Sequence, residues 1–240
     1  MRRELRAEWT KLRTAPAAWW LLPGVVALTV AGSAAAVGFT TCAPAGCGHD
    51  PARVGLFGVQ LGQGLVALLA VVAVCGEYGT GMIRTTLTAM PRRAVTLAAK
   101  AGVLTGVTLV AGTLGVLGSA VAGFLSGGSA LPPRAVVGSV LYLALIALLG
   151  LGVATVVRDS AAATGVVLGL LYLFPIAILM IRDEDLRLLL WKISPVNAGL
   201  AVQATTDVLP LGPWAGLGVL AAWAAGALLC GGLLLRLRDA

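Results

Sequence analysis

The densest set of reactive side chains lies at positions 76–100, GEYGTGMIRTTLTAMPRRAVTLAAK. Glu77 opens it, and Arg84, Arg92, Arg93 and Lys100 follow. One carboxylate among four cations, with no histidine or second acid in the stretch, is no acid–base pair. Its chemistry is charge pairing: docking a partner protein or gripping anionic headgroups. Gly79 and Gly81 permit a sharp redirection, Ile83 to Leu87 have the makings of a short surface helix, and Pro91 ends it. Physics alone also allows a plain loop whose cations only fix membrane orientation.

A second set sits at positions 40–53, TTCAPAGCGHDPAR. Cys42 and Cys47 lie between prolines and glycines and read as a local disulfide, two free thiols being the alternative. His49 and Asp50 adjoin them, but so short a loop without a matching second cluster is a weak zinc signal. No metal site is expected. His49 is the one histidine in the chain. No G-x-S-x-G, H-E-x-x-H or C-x-x-C occurs, and without G-x-x-x-x-G-K-[ST] the chain cannot by itself bind ATP through a P-loop. We expect no catalysis from this chain alone and no cofactor bound to it.

The elements that must hold these residues are membrane spans. The 240 residues are 59% hydrophobic and 11% charged, against about 25% charged for a soluble domain. The net charge of +7 sits at the ends of apolar runs rather than on a soluble face, which argues against nucleic acid. Apolar runs at about 19–39, 54–75, 101–125, 135–157, 160–181 and 214–235 are each long enough to cross a bilayer. The fold class is therefore all-α transmembrane with six spanning helices, in a single transmembrane domain over residues 1–240. Trp9, Trp19, Trp20, Trp191 and Trp214 fall near span ends, as in an interfacial belt.

Residues 2–14, RRELRAEWTKLRT, form an amphipathic helix in the headgroup plane. Leu5, Trp9 and Leu12 share its apolar face, and Arg2, Arg3, Arg6, Lys11 and Arg13 populate the rest. A cleaved signal peptide is disfavoured, because the following apolar run is too long. Pro16 separates this helix from the first span, and Pro23 is expected in that span's first turn. Gln60 and Gln63 share one face of the second span, where interhelical hydrogen bonding outweighs substrate contact. Gly102, Gly106, Gly112, Gly115, Gly118 and Gly123 prepare the third span for close packing. Arg158 and Asp159 make a minimal turn, and Pro175 kinks the fifth span. Residues 182–213 hold short helices, interfacial or re-entrant, opened by Asp183, Glu184 and Asp185 and ended by Pro195. A second short helix is expected at 197–205. The larger share of the 17 Lys and Arg falls on the side of the N-terminal helix, residues 76–100 and the tail. By the positive-inside rule both termini are cytoplasmic, in the plasma membrane.

EWTKLRT at 8–14, together with EYGTGMIRTTLTAMPRR at 77–93 and then Lys100, resembles the permease subunits of ABC-2-type ABC transporters, especially the small actinobacterial six-span kind. The resemblance implies the ABC-2, type V exporter-like fold, with residues 2–14 as an elbow helix beside an ABC ATPase subunit. Glu8, Trp9, Lys11, Leu12 and Arg13 are its elbow residues here. It implies a cytoplasmic coupling loop at 76–100, with Glu77, Tyr78, Thr80, Gly81, Arg84 and Pro91 carrying coupling. Gly79 departs from the pattern, since a basic or polar residue is common there. The partners implied are the ATPase, which holds ATP and Mg, a second permease copy or paralogue, and membrane lipid. Residues 182–213 would cap the outer end of the pathway. Two other readings stay open: a non-transporting scaffold, sensor or immunity protein, and an ion-coupled carrier. No mid-span carboxylate is present to seat the ion relay of the last.

Overall fold

The computed structural model describes residues 2–40, 50–79, 93–125, 131–205 and 210–237. Among them there is no strand, and six helices are long and apolar enough to cross a membrane. The protein is an all-α, multi-pass membrane protein. Helix is the expected solution in hydrocarbon, because it satisfies every backbone donor within one segment. The elements are α1 (Arg2–Thr14), α2 (Pro16–Phe39), α3 (Pro51–Gly55), α4 (Gly58–Gly79), α5 (Arg93–Leu125) and α6 (Pro133–Val157). The fifth span is α7 (Ser160–Leu168), a π-helical turn (Gly169–Leu173) and α8 (Phe174–Leu179). Then come α9 (Glu184–Ile193), α10 (Pro195–Gly199), a 3₁₀ turn (Leu200–Gln203) and α11 (Pro213–Leu237).

The second and fourth spans, α4 and α6, form the centre. Their apolar stretches are 67% and 61% buried, against 17–33% for the other four. α2 and α5 pack on one side, and α7 and α11 on the other. The outer face of α5 shows Val110, Leu114, Leu117, Val121 and Phe124 at helical spacing, a stripe for lipid tails.

Lipid tails are as apolar as leucine, so association depends on close packing rather than on hiding apolar surface. Gly58 lies so close to α2 that a Cβ there would overlap the Thr29 carbonyl oxygen. Its N–H donates to Ser33 Oγ at 3.0 Å, and Ser119 Oγ of α5 donates to the Thr29 carbonyl at 3.1 Å. Small and hydroxyl-bearing residues thus join α2, α4 and α5. Gly152 plays the same part between α6 and α11, where a Cβ would come 2.6 Å from backbone and side-chain atoms of Ala227. Of the third-span glycines, Gly112, Gly115 and Gly118 meet Leu143, Thr29 and Val30 as expected. Gly106 and Gly123 do not: a Cβ at either would meet nothing within 4 Å.

Several boundaries move. The break expected at Pro16 is present, α1 ending at Thr14 and α2 starting at Pro16, but the span starts earlier than residue 19, so Pro23 lies inside the helix and not in its first turn. It is tolerated on an exposed face, at the loss of one backbone hydrogen bond. The second span starts later and ends later than its apolar run, because α3 ends at Gly55 and α4 continues through Glu77 and Tyr78 to Gly79. The third span begins at Arg93 instead of 101, so Lys100 is helical. At 33 residues α5 is about 50 Å long, well beyond a hydrocarbon core of roughly 30 Å. The π turn precedes Pro175, with the Phe174 N–H reaching back five residues to the Gly169 carbonyl. That turn absorbs the irregularity expected at the proline.

Asp183 caps α9 by accepting from the Leu186 N–H at 2.9 Å. α9 ends at Ile193, and Pro195 starts the next helix rather than ending this one. The second short helix begins at Pro195, two residues before the expected start, and passes into the 3₁₀ turn. α9 buries none of its residues, whereas 195–203 are almost all buried between α6 and α11. Gly199 abuts the Tyr142 ring, about 13 Å along α6 from its start, so the segment re-enters the bundle. Irregular backbone is tolerated at that depth because protein surrounds it.

The packing account predicts that Gly58→Ala and Gly152→Ala each destabilise by about 1–3 kcal/mol through overpacking. Gly106→Ala should leave the unfolding midpoint unchanged or slightly raised. Thermal unfolding in a mild detergent reads this, and equal midpoints for all three variants would contradict it.

Candidate functional site

The best-defined polar cluster in the described residues joins α1 to the ends of α4 and α5. The sequence makes it from three helices. Glu8 and Lys11 are one turn apart on α1, Glu77 is in the last turn of α4, and Lys100 lies two turns into α5. Lys100 Nζ donates to Glu8 Oε2 at 2.6 Å, to Glu77 Oε1 at 2.9 Å and to the Ala73 carbonyl at 3.1 Å. All three ammonium protons are therefore used. Lys11 Nζ donates to Glu8 Oε1 at 3.0 Å and to the same Glu77 oxygen at 2.9 Å. Glu8, Glu77 and Lys100 are only 4%, 7% and 8% exposed.

Two carboxylates and two ammoniums give a neutral set, which is the condition for leaving such groups out of water. Charge-assisted bonds of this kind are short and strong in a low-dielectric setting. Partial burial pulls the Lys11 ammonium toward the neutral form. Hydrogen bonds to Glu77 and Glu8, with their charges, prevail and hold it above the usual lysine range. Its contribution is therefore full at neutral pH and is lost only as pH climbs through that raised value. Beside the cluster is a cavity of about 430 Å³, walled by α1, the start of α2, α4 and α5, and lined by Glu8, Lys11, Glu77 and Lys100 among others.

The neighbouring corner is tied to the same place. Arg158 ends α6 in the left-handed conformation, with φ 65°. Its guanidinium stands 5.4 Å from the Tyr78 ring centroid, a cation–π contact, and donates to the Leu234 carbonyl at 3.3 Å. Asp159 then caps α7, accepting from the Ala162 N–H at 2.7 Å. The expected minimal turn is thus a left-handed C-cap followed at once by an N-cap.

The sequence-derived residues divide accordingly. Glu77 and Tyr78 are not in a loop but at the end of α4, turned onto Lys11, Lys100 and Arg158. Lys100 does not reach for headgroups, as its sequence position implied; burial against two carboxylates holds it inward. On α1 the inward face is centred on Glu8, with Leu12 against the core, while Trp9 and Arg13 face outward. The Trp9 side thus belongs to the membrane rather than to the bundle. Trp19 Nε1 of α2 donates to the Arg13 carbonyl at 2.9 Å and closes the corner between the two helices. Thr80, Gly81, Arg84 and Pro91 lie outside the described residues, as do Cys42, Cys47 and His49. No group of three His, Cys, Asp or Glu able to hold a metal occurs among the described residues.

The opposite end of the bundle has its own polar contacts, which the sequence did not reveal. Asp50 caps α3 and also accepts from the Thr205 N–H and hydroxyl, both at 2.6 Å. Gln203 donates to Ser139 at 2.9 Å, and Arg134 donates to the Ala204 carbonyl. Gln63 accepts from the Tyr142 hydroxyl, and the Gln60 carbonyl accepts from Tyr172 at 2.7 Å. Gln63 therefore serves interhelical bonding, as its spacing suggested, whereas the bond at Gln60 is to its backbone carbonyl, which any residue would offer. No sequence signal identifies these pairings, because each partner lies on a distant helix.

Lys100→Met should destabilise by about 3–5 kcal/mol, since it leaves buried carboxylates short of a cation. Lys11→Met should cost clearly less, since that side chain is 28% exposed and water reaches the vacated place. The wild-type unfolding midpoint should hold through neutral pH and fall above the lysine range. Thermal unfolding across a pH series checks both statements; equal losses for the two variants would contradict the asymmetry. No protein-family model matches the chain, and no curated protein matches it.

Proposed function

We propose that the protein is the membrane-spanning subunit of an ATP-driven ABC transporter of the ABC-2 type, working as an exporter. The observation that carries this reading is the charge cluster at the base of α4 and α5. Glu77 and Lys100 flank residues 80–92 in sequence, and both are bonded to α1. A connection so anchored can pass a push from a soluble partner into the bundle without first bending its own helices. The resemblance of residues 8–14 and 77–93 to ABC-2 permeases supplies the class of partner, an ATPase subunit that binds ATP and Mg.

In this reading two copies, or one copy and a paralogue, pair in the plasma membrane with both termini cytoplasmic. ATP-driven closure of the ATPase pair moves residues 80–92. α1, α4 and α5 follow as one rigid piece, and the pathway switches its exposure. Thr80, Gly81, Arg84 and Pro91 are then the contacts with the ATPase. Glu77 and Lys100 are positioning residues behind them. The re-entrant segment 195–203 closes the outer end. With no mid-span carboxylate in the sequence to run an ion relay, the driving energy comes from the partner.

The test is purification of the tagged chain from its native cell in gentle detergent, with mass spectrometry of what accompanies it. A stoichiometric soluble subunit with a P-loop is expected, retained in the wild type and lost on Arg84→Glu, whose unfolding midpoint should equal that of the wild type. An intact oligomer reproducibly free of any ATPase would overturn the reading in favour of a membrane scaffold or sensor.

A further inference from the structure

Beside α1, on the face away from the ion cluster, an apolar groove runs between α2 and α5. It comprises two adjoining hollows of about 300 and 590 Å³ that share Trp9, Leu22, Pro23 and Val107. The first includes Arg13 and Trp19 at the level of α1; the second extends along α5 from Gly102 to Leu114. That distance is about 18 Å, close to the depth of one leaflet, roughly half of a 30 Å core.

Its openness is built by residue choice. A Cβ on Gly106 would meet nothing within 4 Å, and one on Gly102 would meet only Leu5, at 3.6 Å. These glycines do not bring helices together; they leave room. Farther along α5, Gly115 and Gly118 do meet Thr29 and Val30 of α2, and there the groove ends. Arg13 lines the first hollow, and Arg6, two turns back along α1 on the other side of Trp9 in sequence, is exposed as Arg13 is. Arg13 is held in place through the bond from Trp19 to its carbonyl. Lys11 does not contribute, since it faces the cluster on the other side.

We propose that this groove binds one anionic phospholipid, its phosphate between Arg6 and Arg13 and one acyl chain along Gly102 and Gly106. Arg13 at the mouth, with the exposed Arg6 on the same helix, above an apolar channel of leaflet depth matches that ligand in both charge and length. The site is independent of the transporter reading, because it needs only the membrane setting and the α1–α2–α5 geometry.

Native mass spectrometry of the purified chain, with phosphatidylglycerol and phosphatidylcholine added in equal amounts, tests it. The wild type should retain one phosphatidylglycerol in preference to phosphatidylcholine. Arg6→Gln and Arg13→Gln should each lower that preference about fivefold. Gly106→Leu, placed in open space, should keep the wild-type unfolding midpoint and lose the retained lipid of either kind. An unchanged preference in the arginine variants would overturn the proposal, as would a retained lipid in Gly106→Leu. So would a Gly106→Leu effect on the dimer fraction alone, which would mean that a second copy fills the groove.

Discussion

Four charged side chains that cannot be separated without stranding a charge away from water decide the geometry of one end of this protein. Glu8, Lys11, Glu77 and Lys100 come from three helices and satisfy one another. Removing Glu8, Glu77 or Lys100 leaves the set unbalanced in a place where water cannot fully compensate. The position of α1, the extension of α4 past its apolar run and the early start of α5 are therefore not independent features. Each supplies or supports a member of the cluster. The Arg158 contact to Tyr78 extends the same tie to the α6–α7 corner.

The rest of the bundle is held by different means. In the hydrocarbon region the described contacts are close approaches at glycine and hydrogen bonds from hydroxyls and amides, such as Ser119 to Thr29 and Tyr142 to Gln63. These set the spacing of α2, α4, α5 and α6 without burying charge. At the far end the re-entrant segment is packed between α6 and α11 and fastened by hydrogen bonds, one from Gln203 to Ser139 and two from Thr205 to Asp50. One end is thus held by coupled ion pairs and the other by packing and hydrogen bonds.

α1 serves two purposes at once. Its Glu8 face turns to the protein and its Trp9 face to the membrane, so the helix separates a charged cavity from an apolar groove. The apolar pattern Leu5, Trp9 and Leu12 suggested a helix resting on lipid with its charges in water. In the structure Leu12 packs against the core, and Glu8, between Leu5 and Leu12 in sequence, is 4% exposed. A one-dimensional pattern ranks residues by transfer from water. It has no means of knowing that a cation waits on another helix.

The amino-acid sequence alone determined that this is an all-α protein with six spans, and it located the fourth, fifth and sixth of them to within about two residues at each end. Apolar run length is a local property, and in hydrocarbon a long apolar run has helix as its stable form. The sequence also located the candidate site, since Glu77 and Lys100 stood out as charges beside apolar runs. Tertiary structure alone decided what those charges do. Their partners lie 23, 66 and 92 residues apart along the chain, and pairing at that distance exists only once the helices are packed. The same holds for the re-entry of residues 195–203 and for which glycines close a contact and which leave a groove. A glycine reads alike in sequence whether its missing Cβ is replaced by a neighbouring helix or by open space.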